Sequence, residues 1–267
     1  MPNYMCVTCG TQYTASEQPP AICTICSDER QYIGPNGQQW MLLEDLQRDH
    51  HNVFTDLIPN LTSVVTEPKF AIGQRAHIIQ TPKSNVLWDC ISLIDDATIE
   101  KIKSMGGLSA IAISHPHYYS TIVNWSKAFG DIPIYIHAND RQHVTQPDPV
   151  IHFWEGDSLS IGDGLTLICC KGHFDGSTVL HWRDGAEGKG ALFTGDTIFV
   201  VSDTRFVTFM YSYPNYIPLP ARKVQHIVDT VEPFAFDQIY DAFGRIVKSD
   251  AHGAVIRSAE RYIKAIT

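Results

Sequence analysis

Three short apolar, β-rich runs in this chain each end on a side chain that can hold a metal. SAIAIS leads into His115 and His117, LTLICC into His173, and ALFTG into Asp196. Loops that follow buried strands are where α/β and sandwich proteins expose catalytic groups. His115 and His117 lie two apart, so in an extended segment both project to one face, a spacing that suits two ligands of one cation. Three histidines and a carboxylate from three such loops make a candidate site for zinc or another first-row metal.

The rest of the chain fits strands interleaved with helices. SVVTE, RAHIIQT, NVLWDC, IPIYIH and TVLHW read as further strands from their β-branched content. Residues 97 to 103, 121 to 129, the run QHIVDTV and residues 251 to 265 have helical spacing. With 267 residues and 44% hydrophobic content there is material for one sizeable core and a small appended module. The expected class is α+β, with two sheets sandwiched between helices.

That module is expected over residues 1 to 34, where Cys6, Cys9, Cys23 and Cys26 form C-x2-C-x13-C-x2-C. Each C-x2-C pair curls so that two thiolates face one point, and four complete a tetrahedral site for a soft metal. Zinc is the expected ion. YMCVTCGTQY and PPAICTIC also resemble rubredoxin-like knuckles, which hold iron, so iron stays open at this site. So few apolar residues could hardly fold without the metal, and four thiolates leave no vacancy, which suits a structural role. Residues 35 to 60 read as a connector with a short helix around Trp40 to Leu46.

A net charge of −9 and a pI near 5.7 argue against nucleic-acid and anionic-membrane partners. The first residues, MPNYMCVTCG, resemble no export or transit signal, and no apolar run is long enough to span a bilayer. The expected location is therefore cytoplasmic, with the seven cysteines serving as thiols or ligands rather than disulfides.

SHPHYYS, KGHFDGS and LFTGDTIF, in that order with NVLWDC upstream, resemble the metallo-β-lactamase superfamily of αββα metallohydrolases over residues 61 to 267. The resemblance implies a four-layer αββα sandwich. It also implies a first metal site at His115, His117 and His173, with Asp196 as the aspartate that usually bridges two metals. Asp89 corresponds to the aspartate that braces the histidine loop from behind the ligands. The departures are as informative. Where the family carries an aspartate and a histidine for a second metal, this chain has Tyr119 and Ser120, and Phe243 replaces a last histidine. The expectation is one metal, at the first site.

Zinc on three imidazoles lowers the pKa of bound water to about 7, so the expected activity is attack of zinc-bound hydroxide on an activated carbonyl of an ester, lactone, thioester or amide. In this reading Asp196 completes the coordination or takes the proton of the water. Tyr118 or Tyr119 presents a phenol to the oxyanion, or Tyr119 fills volume beside Phe243. Loss of the second site lowers the case for a nuclease. Two other functions stand beside this one: a mononuclear iron oxygenase of the persulfide-dioxygenase type, and a binding protein with a retained structural metal. The expected partner is a small-molecule substrate, with a homo-oligomer left open.

The aromatic stretch with Phe206, Phe209, Tyr211, Tyr213 and Tyr216 suits a pocket wall, a subunit interface or ordinary packing. His50 and His51 read as solvated or capping residues, and His252, the one candidate for a replacement ligand, as a helix cap or exposed residue; His137, His143, His152 and His181 fit no ligand spacing, and Cys169 and Cys170 read as buried small residues.

Overall fold

The computed structural model describes residues 1–267, which divide into two compact units. One comprises Met1–Ile136 with Arg141–Phe153, the other His137–Asp140 with Trp154–Thr267.

The first unit opens with the knuckle, in which β1 (Met5–Cys6) pairs antiparallel with β2 (Trp40–Met41), Cys6 opposite Trp40. The sequence predicts one helical run over Trp40 to Leu46, and the structure corrects this. Trp40 packs edge-on against Tyr13 at 5.1 Å and Met41 joins a small cluster around Met5, Leu46 and Leu93, so strand pairing takes the first two residues. Helix α1 starts later, spanning Leu43–Asp49.

The expected connector over residues 35 to 60 is also revised. Within it lies β3 (His51–Ile58), the edge of a seven-stranded sheet, paired antiparallel with β4 (Leu61–Glu67). As a half-exposed edge strand, β3 has no buried residue to mark an apolar face in its sequence. The sheet continues through β5 (Arg75–Gln80) and β6 (Asn85–Trp88), antiparallel neighbours. Helix α2 (Asp96–Ser104), capped where the Asp95 carboxylate accepts from the Thr98 amide at 2.8 Å, leads to β7 (Ala110–Ala112), which lies parallel to β6. Helix α3 (Ile122–Ala128), β8 (Ile134–His137) and β9 (Ile151–Trp154) complete the order β3-β4-β5-β6-β7-β8-β9.

The second unit holds a six-stranded mixed sheet. It runs from β10 (Ser158–Gly162) through β11 (Leu165–Cys169) and β12 (Thr178–Trp182) to β13 (Ala191–Phe193), all antiparallel neighbours. A four-residue turn, α4 (Gly185–Gly188), links the last two. Two short hairpins follow, β14 (Phe199–Val200) with β15 (Val207–Thr208), and β16 (Met210–Ser212) with β17 (Ile217–Pro218).

After helix α5 (Ala221–Val231), β18 (Gln238–Tyr240) lies parallel to β13, and β19 (Ile246–Val247) closes the edge before α6 (Ala251–Ile266). The buried face of α5 is Val224, Ile227, Val228 and Val231, the spacing of one helical stripe. These residues pack with Ala251, Ala254, Val255 and Ala259 of α6 against Ile168, Val179, Leu192 and Ile239 of the sheet. Each fully buried valine or isoleucine adds roughly 1.5–3 kcal/mol over an exposed one. The strands whose ends carry ligand-type residues, β11 and β13, are thus anchored in this core. No helix is long and apolar enough to cross a membrane.

Candidate metal centres

Cys6, Cys9, Cys23 and Cys26 are all buried in the knuckle, with Sγ–Sγ distances of 3.7 Å for Cys6–Cys26 and 3.6 Å for Cys9–Cys23. Tetrahedral ligands at a zinc–sulfur distance of about 2.3 Å would lie about 3.8 Å apart, so the four sulfurs fit one ion. Burial raises the Cys9 thiol above its ordinary range, and its three neighbours add to that rise. Hydrogen bonds from neighbouring sulfurs shift Cys26 up as well but Cys6 and Cys23 down, and a cation is what lets all four become thiolates together. Two polar side chains donate to them, Gln38 giving an N–H to Cys6 Sγ at 3.2 Å and the Tyr13 hydroxyl an O–H to Cys23 Sγ at 3.3 Å. Both compensate negative charge on sulfur.

At the second centre, ligand atoms of His115, His117, His173 and Asp196 lie within 4.8 Å of one another, and all four residues are buried. The elements that place them are those expected from sequence. Strand β7 runs through Ile113 and Ser114 into His115, and His117 sits in the 3-10 turn Pro116–Tyr118, its ring 5.0 Å from that of His115. The turn is tied off by the Tyr118 amide donating to His115 O at 3.0 Å. Strand β11 leads through Gly172 to His173. Gly172 has a φ of +95°, and a Cβ there would stand 2.9 Å from Ile227 Cδ1, so a side chain would meet both backbone strain and a packed neighbour. Strand β13 delivers Asp196 through Gly195.

Hydrogen bonds fix the ring orientations. His173 Nδ1 donates to Met210 O at 3.3 Å, which leaves the lone pair on Nε2, and Nε2 stands 3.7 Å from Asp196 Oδ2. A lone pair facing a carboxylate across that gap fits a cation held by both. His115 Nδ1 meets the Ser114 hydroxyl at 2.9 Å, and the Ser114 amide donates to Asp89 Oδ1 at 2.8 Å. Asp89 therefore reaches the histidine loop through its backbone. Three imidazoles and one carboxylate suit a first-row metal.

Tyr119 is buried on the same loop. Phe243, which stands where a ligand was expected, exposes 39% of its surface and packs on Phe199 at 5.9 Å. The Asp241 carboxylate explains that placement: it accepts from the amides of Phe243, Arg245 and Val200 and turns the chain outward. Burial raises the Asp241 carboxyl above the usual range, and nearby Asp196 adds to the rise.

Asp241, Ser114 and Gln74 carry no ligand-type pattern in the sequence, where the only signal is the proximity of Asp241 to Phe243 in YDAFGR. Of the aromatic stretch, Phe209 is buried, Tyr213 is half-buried with its hydroxyl donating to Asp196 O at 2.9 Å, and Tyr216 is exposed. The remaining histidines have structural roles or lie at the surface: His137 Nε2 meets Gly156 O, His181 Nε2 meets Ala235 O, and His252 Nε2 meets Glu232 O at the start of α6. Cys169 and Cys170 are buried, as expected.

Two of three comparisons with known proteins found relatives. No family model matches the chain. It is 52% identical to the uncharacterized protein YmaE of Bacillus subtilis (strain 168), over 268 aligned residues covering 100% of this chain and 97% of that one. Among solved structures it is similar to the metallo-β-lactamase FIM-1 from Pseudomonas aeruginosa in a mono-zinc form, with a TM-score of 0.58 and 17% identity over 79% of this chain and 95% of the other. The DIM-1 metallo-β-lactamase gives a TM-score of 0.59 at 12% identity, covering 81% and 99%. TTHA1623 in a di-iron-bound form gives 0.52 at 17% identity, covering 77% and 98%. The two mixed sheets with their helices are thus the metallo-β-lactamase fold, extended by an N-terminal four-cysteine knuckle.

Proposed function

Because the chain belongs to the family of the uncharacterized protein YmaE and has the metallo-β-lactamase fold, we propose that it is a metal-dependent hydrolase with one zinc at the histidine centre. The observation that carries this reading is the convergence of His115, His117, His173 and Asp196 within 4.8 Å. A zinc ion bound there supplies a Lewis acid and lowers the pKa of its water to about 7.

The chain's own groups do the rest. His173 stays in one tautomer because Met210 O can only accept from its Nδ1, and the Ser114 hydroxyl holds the His115 ring at Nδ1. The Asp196 carboxylate, 3.7 Å from His173 Nε2, either completes the coordination or orients the attacking water and takes up its proton. Tyr119, on the loop of both histidines, is assigned as the hydrogen-bond donor to the developing oxyanion. The substrate class is an activated carbonyl: ester, lactone, thioester or amide. With Ser120 rather than histidine in the loop and Phe243 turned outward, one metal is the expected complement.

The test is metal content measured on protein purified without added metal, together with hydrolysis of a panel of activated esters, thioesters and lactones. One zinc per cluster, two in all, and chelator-sensitive turnover are expected. His117→Ala should lose the histidine-centre zinc and the turnover while keeping the cysteine-bound metal. Unchanged stoichiometry in that variant refutes the site. Iron in the histidine centre would instead favour an oxygen-using reaction, a second reading that the di-iron form of TTHA1623 keeps open.

A further inference from the structure

The backbone between Cys9 and Gln12, the return of the first cysteine knuckle, is bonded directly to the segment that carries His117. Gln74 is the link: its Nε2 donates to Cys9 O at 2.6 Å and to His117 O at 3.1 Å, and the side chain is 5% exposed. A second bond bypasses it, the Gln12 amide donating to Ser120 O at 2.9 Å. Ser120 has a φ of +40°, in the left-handed region that residues with a side chain seldom enter. It is held there by this bond and by its own hydroxyl, which donates to Cys90 O at 3.2 Å.

The knuckle is clamped from two other sides. Ser92 Oγ donates to Gly10 O at 3.0 Å, and Thr145 Oγ1 donates to Gln12 O at 2.7 Å. A Cβ on Gly10 would lie 2.1 Å from Ser92 Oγ, so the contact is as close as a glycine permits.

We propose that Gln74 is a positioning residue through which the four-cysteine knuckle holds the His115–Ser120 loop in its ligand-presenting shape, so that metal at the cysteines raises metal affinity at the histidines. The physical chain is short. A segment with so small an apolar cluster keeps its backbone ordered chiefly through its metal. Without that order the Gln12 amide leaves Ser120, and one of the two acceptors of Gln74 moves away. The loop then loses the contacts that keep Ser120 in its unfavoured conformation, and His117 is no longer fixed against His115. Linkage makes the coupling reciprocal: metal on the histidines tightens the cysteine site by the same factor. The inference rests on the reading that both clusters hold metals.

Cobalt(II) titration of the full chain tests it, because thiolate charge-transfer bands report the cysteine site and ligand-field bands the histidine site. Gln74→Met keeps the volume and removes both donors, while Ser92→Ala releases Gly10 more gently, so one variant remains informative should the other fail to fold. Histidine-site affinity is expected to fall roughly tenfold or more in Gln74→Met and less in Ser92→Ala, from the loss of buried hydrogen bonds. Amide exchange at Tyr118 and Tyr119 should accelerate in step. His117→Ala should weaken the cysteine site by a comparable factor. Wild-type affinity at the histidines in both variants, or in protein whose cysteine metal has been stripped, overturns the coupling. Failure of the wild-type chain to bind cobalt at the histidines would instead sink the hydrolase reading, and the coupling with it.

Discussion

The Asp89 carboxylate accepts from the Ser114 amide at 2.8 Å, and the Ser114 hydroxyl meets His115 Nδ1 at 2.9 Å, so one buried acid governs the approach of the chain to His115. Asp89 has a φ of +59°, a backbone state that needs local bonding to hold it. Replacing it by alanine leaves a buried amide without this acceptor. Asp89→Ala is expected to lower stability by about 1–3 kcal/mol in urea unfolding, whereas Asp89→Asn keeps an acceptor oxygen and should recover much of that loss. Equal losses in the two variants would mean that charge, not the bond to Ser114, is what the position requires.

Among the elements, β5 carries a group that makes the sheet sensitive to acid. His77 pairs across to Ser63 and Trp88 and is buried at 3% exposure. Burial first, and the Arg75 charge second, push its pKa down to about 3, against about 6.5 in an unfolded chain. Between those values the unfolded state binds a proton that the folded state refuses. The stabilisation from neutral His77 is therefore complete above about pH 6.5 and is lost on acidification towards pH 3, at up to about 1.4 kcal/mol per pH unit. His77→Leu removes that dependence. Between pH 7 and pH 5 the wild type should lose about 2 kcal/mol more than the variant, metal content being matched in both arms. Parallel stability profiles would show that His77 takes up its proton in the fold as readily as in the unfolded chain. The strand that carries His77 was readable as RAHIIQT because β5 is largely buried and rich in isoleucine. Strand β3 was not, since an edge exposed along much of its length leaves no apolar face to recognise. Trp40–Met41 reads as helix in the sequence for a related reason: its pairing partner lies at Met5–Cys6, far back in the chain.

For the whole molecule, the residues of both candidate centres were legible because ligand chemistry is written in residue type and local spacing. C-x2-C repeats itself, and each histidine or aspartate follows its own strand. The groups that brace the ligands left no such mark. Gln74 acts on a carbonyl 43 residues away and Met210 contributes only its backbone oxygen, so neither is distinguishable from an ordinary residue in sequence. The same division extends to the thiols. All seven cysteines are buried and none forms a disulfide, yet they fall into two chemical populations. Cys6, Cys9, Cys23 and Cys26 converge on one point and are expected to be protected by a bound ion. Cys90 and Cys170 are pushed far up by burial, and Cys169 is pushed up to about 11 by the same cause. A thiol at about 11 is ionised in about one molecule per thousand at pH 8, too little for a nucleophile or a reactive sensor. An aromatic disulfide reagent should thus find almost no reactive thiol in the metal-loaded protein at pH 8. Adding a strong chelator should release four thiols per chain, those of the knuckle, and the other three should react only once urea unfolds the sheets. Release of more than four before unfolding would place a reactive cysteine in the folded domain, and release of fewer would show that the knuckle stays closed without its metal.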